Sequence, residues 1–319
     1  MVRYVIRRIL IAIPTLVVIS FMLYMVLALA PGDPLGELAG NANIPPEVQE
    51  NIRKQFGLDK PWYEQYFRWA ISLSKGDWGY SFSSRVPVFD LVIQRVPKTL
   101  GIVGIAYFIG ILIAVPIGVL SAIKQYSIFD QIATTLVFIG LSIPSFFSGL
   151  LLILIFSIHL DWLPFIYDST FKVTDFSSLV EYAKMVIMPI SVLGIYETAH
   201  MTRYVRSSVL DNLPQDYVRT ARSKGLTENI VILRHVLRNS LIPVVTLVAL
   251  GIPWVFTGAI ITEQIFRIQG IGELLIRSIQ NNDTPVVMAI TFIYAILVVI
   301  FTLVADVIYG FLDPRIQYK

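Results

Sequence analysis

Long uninterrupted apolar runs recur along this chain, and they decide most of what it can become. Several exceed the ~18 residues that mark a candidate membrane helix. A water-soluble fold of 319 residues would have to hide all of them at once, and lipid is the simpler solvent. Composition agrees: 55% of the residues are hydrophobic and only 15% are charged, outside the range of soluble globular domains. The formal net charge of +3 carries no nucleic-acid meaning, because the cations sit where membrane orientation places them. The chain has no cysteine, which excludes disulfides, thiol catalysis and thiolate metal sites. Three scattered histidines, His159, His200 and His235, do not make a histidine metal cluster. No metal or cofactor is expected.

Arg3, Arg7 and Arg8 precede an apolar run from Ile9 to Ala30. Ala28-Leu29-Ala30 imitates a signal-peptidase site, but the run outlasts the roughly 7–15 apolar residues of a signal peptide. It reads as a retained first span with its basic end in the cytoplasm. Residues 31–98 follow as a polar outer loop, with a capped helix from Glu47 to Phe56 and an amphipathic one from Pro61 to Ser74. The aromatics of the latter (Trp62, Tyr63, Tyr66, Phe67 and Trp69) fit packing at the membrane interface. Further spans are expected over Thr99–Ile123, Ile132–Ile158, Met185–Thr202, Leu241–Thr262 and Pro285–Ala305. Outer loops fill 159–184 and Glu263–Thr284, and both termini lie inside.

Within the third span, Ser142, Pro144 and Ser145 place a proline among small polar residues at membrane depth. Backbone groups freed there need protein or cavity water, so the reading is a kink facing a pathway wall. Gly251 and Pro253 interrupt the fifth span in the same way, and Pro253 joins this candidate wall. The fourth span carries Glu197 and His200, three apart and hence on one helical face. An acid at membrane depth is a functional candidate by default. The plainer alternative, a bond that merely holds helices together, is preferred because no second carboxylate relay is visible.

The one long polar interval late in the chain runs from Arg203 to Pro243. Pro214 suits the first turn of a helix, Asp211 or Asn212 can cap it, and Gly225 suits a left-handed stop. Tyr217, Ala221 and Lys224 recur at spacings of four and three, giving one semi-apolar face flanked by Arg219, Arg222 and Lys224. Such a helix is shaped to be gripped from outside the bilayer, with Tyr217 and Ala221 entering a partner's groove. A phosphate-binding Gly-x-x-x-x-Gly-Lys-Ser/Thr cradle is missing, Gly270-Ile-Gly272 fails as a dinucleotide fingerprint, and no nucleophile elbow occurs. What remains is a transport subunit driven by something else.

Asp216-Tyr-Val-Arg-Thr-Ala-Arg-Ser-Lys-Gly-Leu226 followed by Leu233-Arg-His-Val-Leu-Arg-Asn-Ser-Leu-Ile-Pro243 resembles the cytoplasmic signature of ABC-importer permeases of the dipeptide/oligopeptide/nickel family. The resemblance runs end to end. It includes Arg7-Arg8 with Pro14-Thr15, Ala30-Pro-Gly-Asp-Pro34, Gly57-Leu-Asp-Lys-Pro61, Pro97-Lys-Thr-Leu100, Ser142-Ile-Pro-Ser-Phe146, Thr284-Pro-Val-Val287 and Asp313-Pro-Arg-Ile316. It is strongest to the first of the two permeases in such systems. Where the general signature has Glu-Ala-Ala, Arg219-Thr220-Ala221 stand here, as is usual in the peptide branch.

The resemblance implies an all-α protein of the inner membrane with six transmembrane helices. A long extracytoplasmic loop follows the first, and a coupling helix at about 213–225 lies between the fourth and fifth. Residues 1–98 carry the first helix and the loop, and residues 99–319 the five-helix core. Asp216, Tyr217, Arg219, Ala221, Arg222, Lys224 and Gly225 then become ATPase-coupling residues. The implied partners are a second permease, two ATP-binding subunits and an extracytoplasmic solute-binding protein. The solute is a di- or oligopeptide, nickel or an oligosaccharide. The competing reading is a self-sufficient secondary transporter or channel that relays ions through Glu197, His200 or Asp306.

Overall fold

The computed structural model describes residues 2–29, 45–55, 57–257 and 259–312. The Ala30–Pro34 and Asp313–Ile316 motifs lie outside them. The described residues form helices and turns, with one isolated antiparallel bridge between Tyr80 and Pro87. In chain order the helices are α1 (Val2–Leu29), α2 (Pro46–Gln55), α3 (Trp62–Ser74) and α4 (Val88–Ile123). Then come α5 (Ile128–Ser142), α6 (Ser145–His159), α7 (Phe176–Asn212) and α8 (Asp216–Ser223). A helical stretch over 228–236 leads straight into α9 (Leu237–Thr257), and α10 (Ile260–Ile265), α11 (Ile271–Gln280) and α12 (Thr284–Leu312) follow. Five helical stretches are long and apolar enough to cross a membrane, and the bent pair α5–α6 makes six if it is one span.

Several sequence-based boundaries move, among them the inner end of the fourth span, which runs on to Asn212, and the start of the fifth, which is helical from Glu228. Helix α4 begins at Val88, not Thr99, and passes through Pro97 by way of a wide π-turn at Leu100–Gly104. Its polar first turns are helical because they pack on later elements. Val88 and Val92 are buried with Ile271, Leu274 and Val286, and Arg95 pairs with Glu273 at 3.3 Å. Helix α7 likewise begins at Phe176, inside the expected outer loop. Asp175 accepts from the Ser178 backbone N–H at 2.8 Å, and Ser178 Oγ accepts from the Asp175 N–H at 2.9 Å, a reciprocal cap. The Ser178 N–H on its carboxylate holds the Asp175 pKa below its usual value. The expected kink at Pro144 is instead a break, with α5 and α6 meeting at 97°. Ile143 is extended there, and the Pro144 carbonyl accepts from the Phe147 and Ser148 N–H groups to start α6 anew.

The centre of the bundle is the packing of α4 on α7. Gly110, Ala114, Gly118 and Ala122 recur every four residues along α4, all buried, so the two backbones approach closely. A Cβ on Gly118 would lie 2.8 Å from Val205 Cβ and 2.9 Å from the Thr202 carbonyl oxygen. One core continues from this seam through Val205 and Val209 to Val218, Val231 and Val236. At the opposite end a second core gathers Ile102, Tyr107, Met188, Val192 and Phe266. Helix α12 packs on α9 and α1, and α1 rests on α3 through Tyr66 and Tyr24, whose rings meet at 5.7 Å.

Two polar ties fasten the ends. Asp283, just before α12, accepts from the hydroxyls of Ser81 and Ser83 and from the N–H groups of Phe82 and Ser83. This holds the turn after α3 against the last span. Arg8 of α1 pairs with Asp306 of α12 at 3.1 Å.

Candidate functional site

Helix α8 is short because its surroundings punctuate it. Pro214 lies before it rather than in its first turn, Gln215 is the N-cap without a side-chain bond, and Lys224 closes it. Gly225 follows at φ 77°, the left-handed stop read from the sequence. Asp211 and Asn212 do not cap this helix. They end α7, and Asn212 accepts from the Tyr217 hydroxyl at 2.5 Å.

The helix is rooted in the bundle by Val218 and Ala221, 0% and 4% exposed, which pack into the core of Val205, Val209, Val231 and Val236. This corrects the expectation that Ala221 enters a partner's groove. The two smallest apolar positions, three apart, turn inward because that side already offers a valine-lined core. Outward lie Asp216, Arg219, Thr220, Ser223 and Lys224, with Tyr217 at the edge. Arg222 is held by Glu228 at 2.6 and 3.1 Å, a contact that raises its already high pKa. Arg219 lies 3.7 Å from Asp216. The outward face is polar, cationic on balance and stiffly mounted.

The candidate wall residues separate. Ser142 and Pro144 stand exposed at the α5–α6 break, with Ser145 half-buried beside them. Pro253 is buried. Glu197 is 9% exposed and lies over Gly110, where an added Cβ would meet its Cβ and Cγ at 2.9 Å. His200 points elsewhere, stacked on Tyr196 with centroids 6.4 Å apart and planes at 10°, and edge-on to Tyr204 at 5.0 Å. Glu197 and His200 therefore share a helix but not a site. A spacing of three turns one side chain toward α4 and leaves the other on the open side.

Two polar anchors leave no local mark in the sequence. Arg206 of α7 grips Asp130 of α5 through Nε and a terminal nitrogen at 2.8 and 2.9 Å. The Asp130 carboxylate also accepts from the Tyr126 N–H at 2.9 Å. Glu263 of α10, 1% exposed, accepts from the Thr99 hydroxyl at 3.0 Å and the Glu273 N–H at 2.9 Å. Thr99 Oγ1 accepts in turn from the Ile271 N–H at 2.8 Å. Only the partners, distant in the chain, reveal either anchor. Among the described residues no group of three or more His, Cys, Asp or Glu is placed to hold a metal.

Comparison with known proteins gives a concordant picture. Residues 114–318 match the model of the binding-protein-dependent transport system inner membrane component, and residues 1–103 match its N-terminal companion. The chain is 41% identical over 319 residues to the oligopeptide transport system permease protein AppB of Bacillus subtilis (strain 168), covering 100% of both. It is 36% identical over 338 residues to the dipeptide transport system permease protein DppB of Escherichia coli (strain K12), again 100% of both. In fold it is similar to a chain of an amino acid ABC transporter crystallised with histidines. The TM-score is 0.52 and the identity 15%, over 69% of this chain and 94% of that one.

Proposed function

The chain belongs to the family of binding-protein-dependent transport system inner membrane components, and from that premise we propose the particulars of its work. It is a multi-pass permease subunit of an ABC importer. Its solute is a di- or oligopeptide, the class for which its 41% and 36% identical relatives are named. A second permease completes the route, two ATP-binding subunits drive it, and an extracytoplasmic binding protein delivers the solute. Both termini and α8 face the cytoplasm, following the basic residues around Arg7 and Arg206. Ser142, Pro144 and Ser145 border the route at the α5–α6 break.

One observation carries the mechanical part: the polar outer face of α8 is mounted on the bundle core by Val218 and Ala221. Asp216, Tyr217, Arg219 and Lys224 meet the ATP-binding subunit. Arg222 and Gly225 fix the helix's end, and Ala221 fixes its root. Push on that face and the force passes through packed valines into α4 and α7, not through a loop. Glu197, turned onto Gly110, is part of this packing rather than an ion relay.

The test is reconstitution. Tripeptide uptake into liposomes is expected only with both permeases, the ATP-binding subunits, the binding protein and ATP. Lys75→Cys is expected to react with an impermeant thiol reagent from outside, and Gln215→Cys only from inside. Uptake by this chain alone under a proton gradient would reject the importer reading. The reversed labelling pattern would reject the orientation.

A further inference from the structure

The inner half of α7 carries a row of side chains that the bundle leaves uncovered. Three sides of the helix are occupied. Glu197 and Thr198 meet α4 at Gly110, where Thr198 Oγ1 donates to the Gly110 carbonyl at 3.3 Å. Ile195 and Ala199 meet α5 at Gly140. Ser208 donates to the Ser240 carbonyl of α9 at 2.7 Å. The fourth side shows Tyr196, His200, Arg203, Tyr204 and Ser207, the spacings of one helical stripe over about three turns. Tyr196 and Tyr204 are 45% and 38% exposed.

Chemistry separates this stripe from the surfaces that meet lipid. The outward residues of α4 and α5 include Phe108, Leu112, Leu136 and Phe138, all apolar and suited to acyl chains. On the α7 stripe every residue is polar or polar-tipped. The hydroxyls of Tyr196 and Tyr204 and the imidazole of His200 make no hydrogen bond to any described residue. An imidazole set against hydrocarbon is costly, and such a group within a span, as His200 is, faces a polar interior. The rings are also pre-arranged as a ladder: His200 between Tyr196 and Tyr204, with the Arg203 guanidinium 5.4 Å from the centre of the Tyr204 ring.

We propose that Tyr196, His200 and Tyr204 form a solute-contacting wall of the translocation route, and that the ligand they meet is peptide main chain. This rests on the peptide-importer reading above. Hydroxyl and imidazole groups can donate to and accept from amides regardless of side chain. Ring faces accept apolar side chains passing over them. Arg203 supplies the charge complement for a terminal carboxylate. A ladder of this kind selects for being a peptide rather than for a sequence.

The chain has no native cysteine, so reaction on this subunit reports one introduced position at a time. In the assembled importer, Tyr196→Cys, His200→Cys and Tyr204→Cys are to be exposed to a bilayer-impermeant cationic thiosulfonate, with Leu112→Cys as the lipid-facing control. The expected rates at the three stripe positions exceed the control by about ten-fold or more, and a mixture of Ala-X-Ala tripeptides during ATP turnover slows them several-fold. Tyr204→Phe keeps the ring and loses the hydroxyl. It should raise the KM for tripeptide uptake by roughly three- to ten-fold with normal assembly. Rates at the stripe no faster than the control mean that lipid or the second permease covers the face, and that overturns the wall. Fast labelling indifferent to tripeptides, or an unchanged KM for Tyr204→Phe, overturns the ligand contact. If the wild-type importer takes up no tripeptide, the peptide reading and its ligand fail together, while the labelling rates still decide whether the stripe lines an aqueous route.

Discussion

Gly270 and Glu263 are coupled closely enough for the sign of one substitution to depend on the other. Gly270 has φ −98° and ψ −170°, a conformation open to any residue, so alanine there meets no backbone strain. A Cβ would, however, overlap the Glu263 carboxyl group. An exposed glutamate would swing aside at small cost, but this one is 1% exposed and pinned by the Thr99 hydroxyl and the Glu273 N–H. Moving it strands buried donors at about 1–3 kcal/mol each. Against that stands a gain of about 0.4–1 kcal/mol from stiffening the unfolded chain. Gly270→Ala should therefore destabilise by about 2–4 kcal/mol. Glu263→Ala, which strands the same donors, should cost a similar amount. With Glu263→Ala already in place the overlap is gone, and adding Gly270→Ala should be neutral or slightly stabilising. The assay is a double-mutant cycle on detergent-solubilised protein, following tryptophan fluorescence through thermal unfolding. At about 2–4 °C per kcal/mol for a large domain, Gly270→Ala alone should lower Tm by about 5–10 °C. Equal shifts for Gly270→Ala in both backgrounds would refute the reasoning.

Asp130→Ala should cost about 1–3 kcal/mol, because it takes the acceptor from the Tyr126 N–H and from Arg206, whose side chain at 26% exposed keeps some access to water. Arg206→Lys should recover little of the two-pronged contact, and unfolding midpoints of the three proteins give the ranking. Ala221→Trp should overpack the core beneath α8 by about 1–3 kcal/mol and lower Tm. Gly225→Val, at φ 77° with open space around it, should instead spare the spans and reduce ATP-driven uptake by tilting the end of α8. A normal Tm for the first or normal uptake for the second would show that the helix is not mounted as described.

Much of this architecture is legible one residue at a time, and the failures share a cause. Apolar runs, the stop at Gly225 and the discontinuity at Pro144 are local properties, written where they act. Val88 to Lys98 looked like loop because Asp90, Gln94 and Arg95 break the apolar pattern. What makes that stretch helical is Glu273 and Ile271, nearly two hundred residues later in the sequence. The Asp175–Ser178 cap is a local signal, but the carboxylates around it give the stretch the composition of a loop. The spacing of Tyr217, Ala221 and Lys224 defines a face of α8 without saying what covers it, and the valine core claims Ala221. Tyr196, His200 and Tyr204 recur at the helical period, and only the packing of three neighbours shows that theirs is the open side.

Helix α7 is 37 residues without interruption, about 55 Å of rod at 1.5 Å per residue, against a hydrocarbon layer of about 30 Å. Nearly half its length therefore stands outside the lipid. Pro189 lies within it but does not divide it. Such a rod turns as a lever, with the Gly110–Gly118 seam as its bearing. The seam meets α7 between Gly194 and Val205, so a rotation of about 10° about it carries the Phe176 end through about 6 Å and the Asn212 end through about 3 Å, in opposite directions. With α8 attached to the short arm, a small displacement of the handle would be matched by an opposite one about twice as large at the capped Phe176 end.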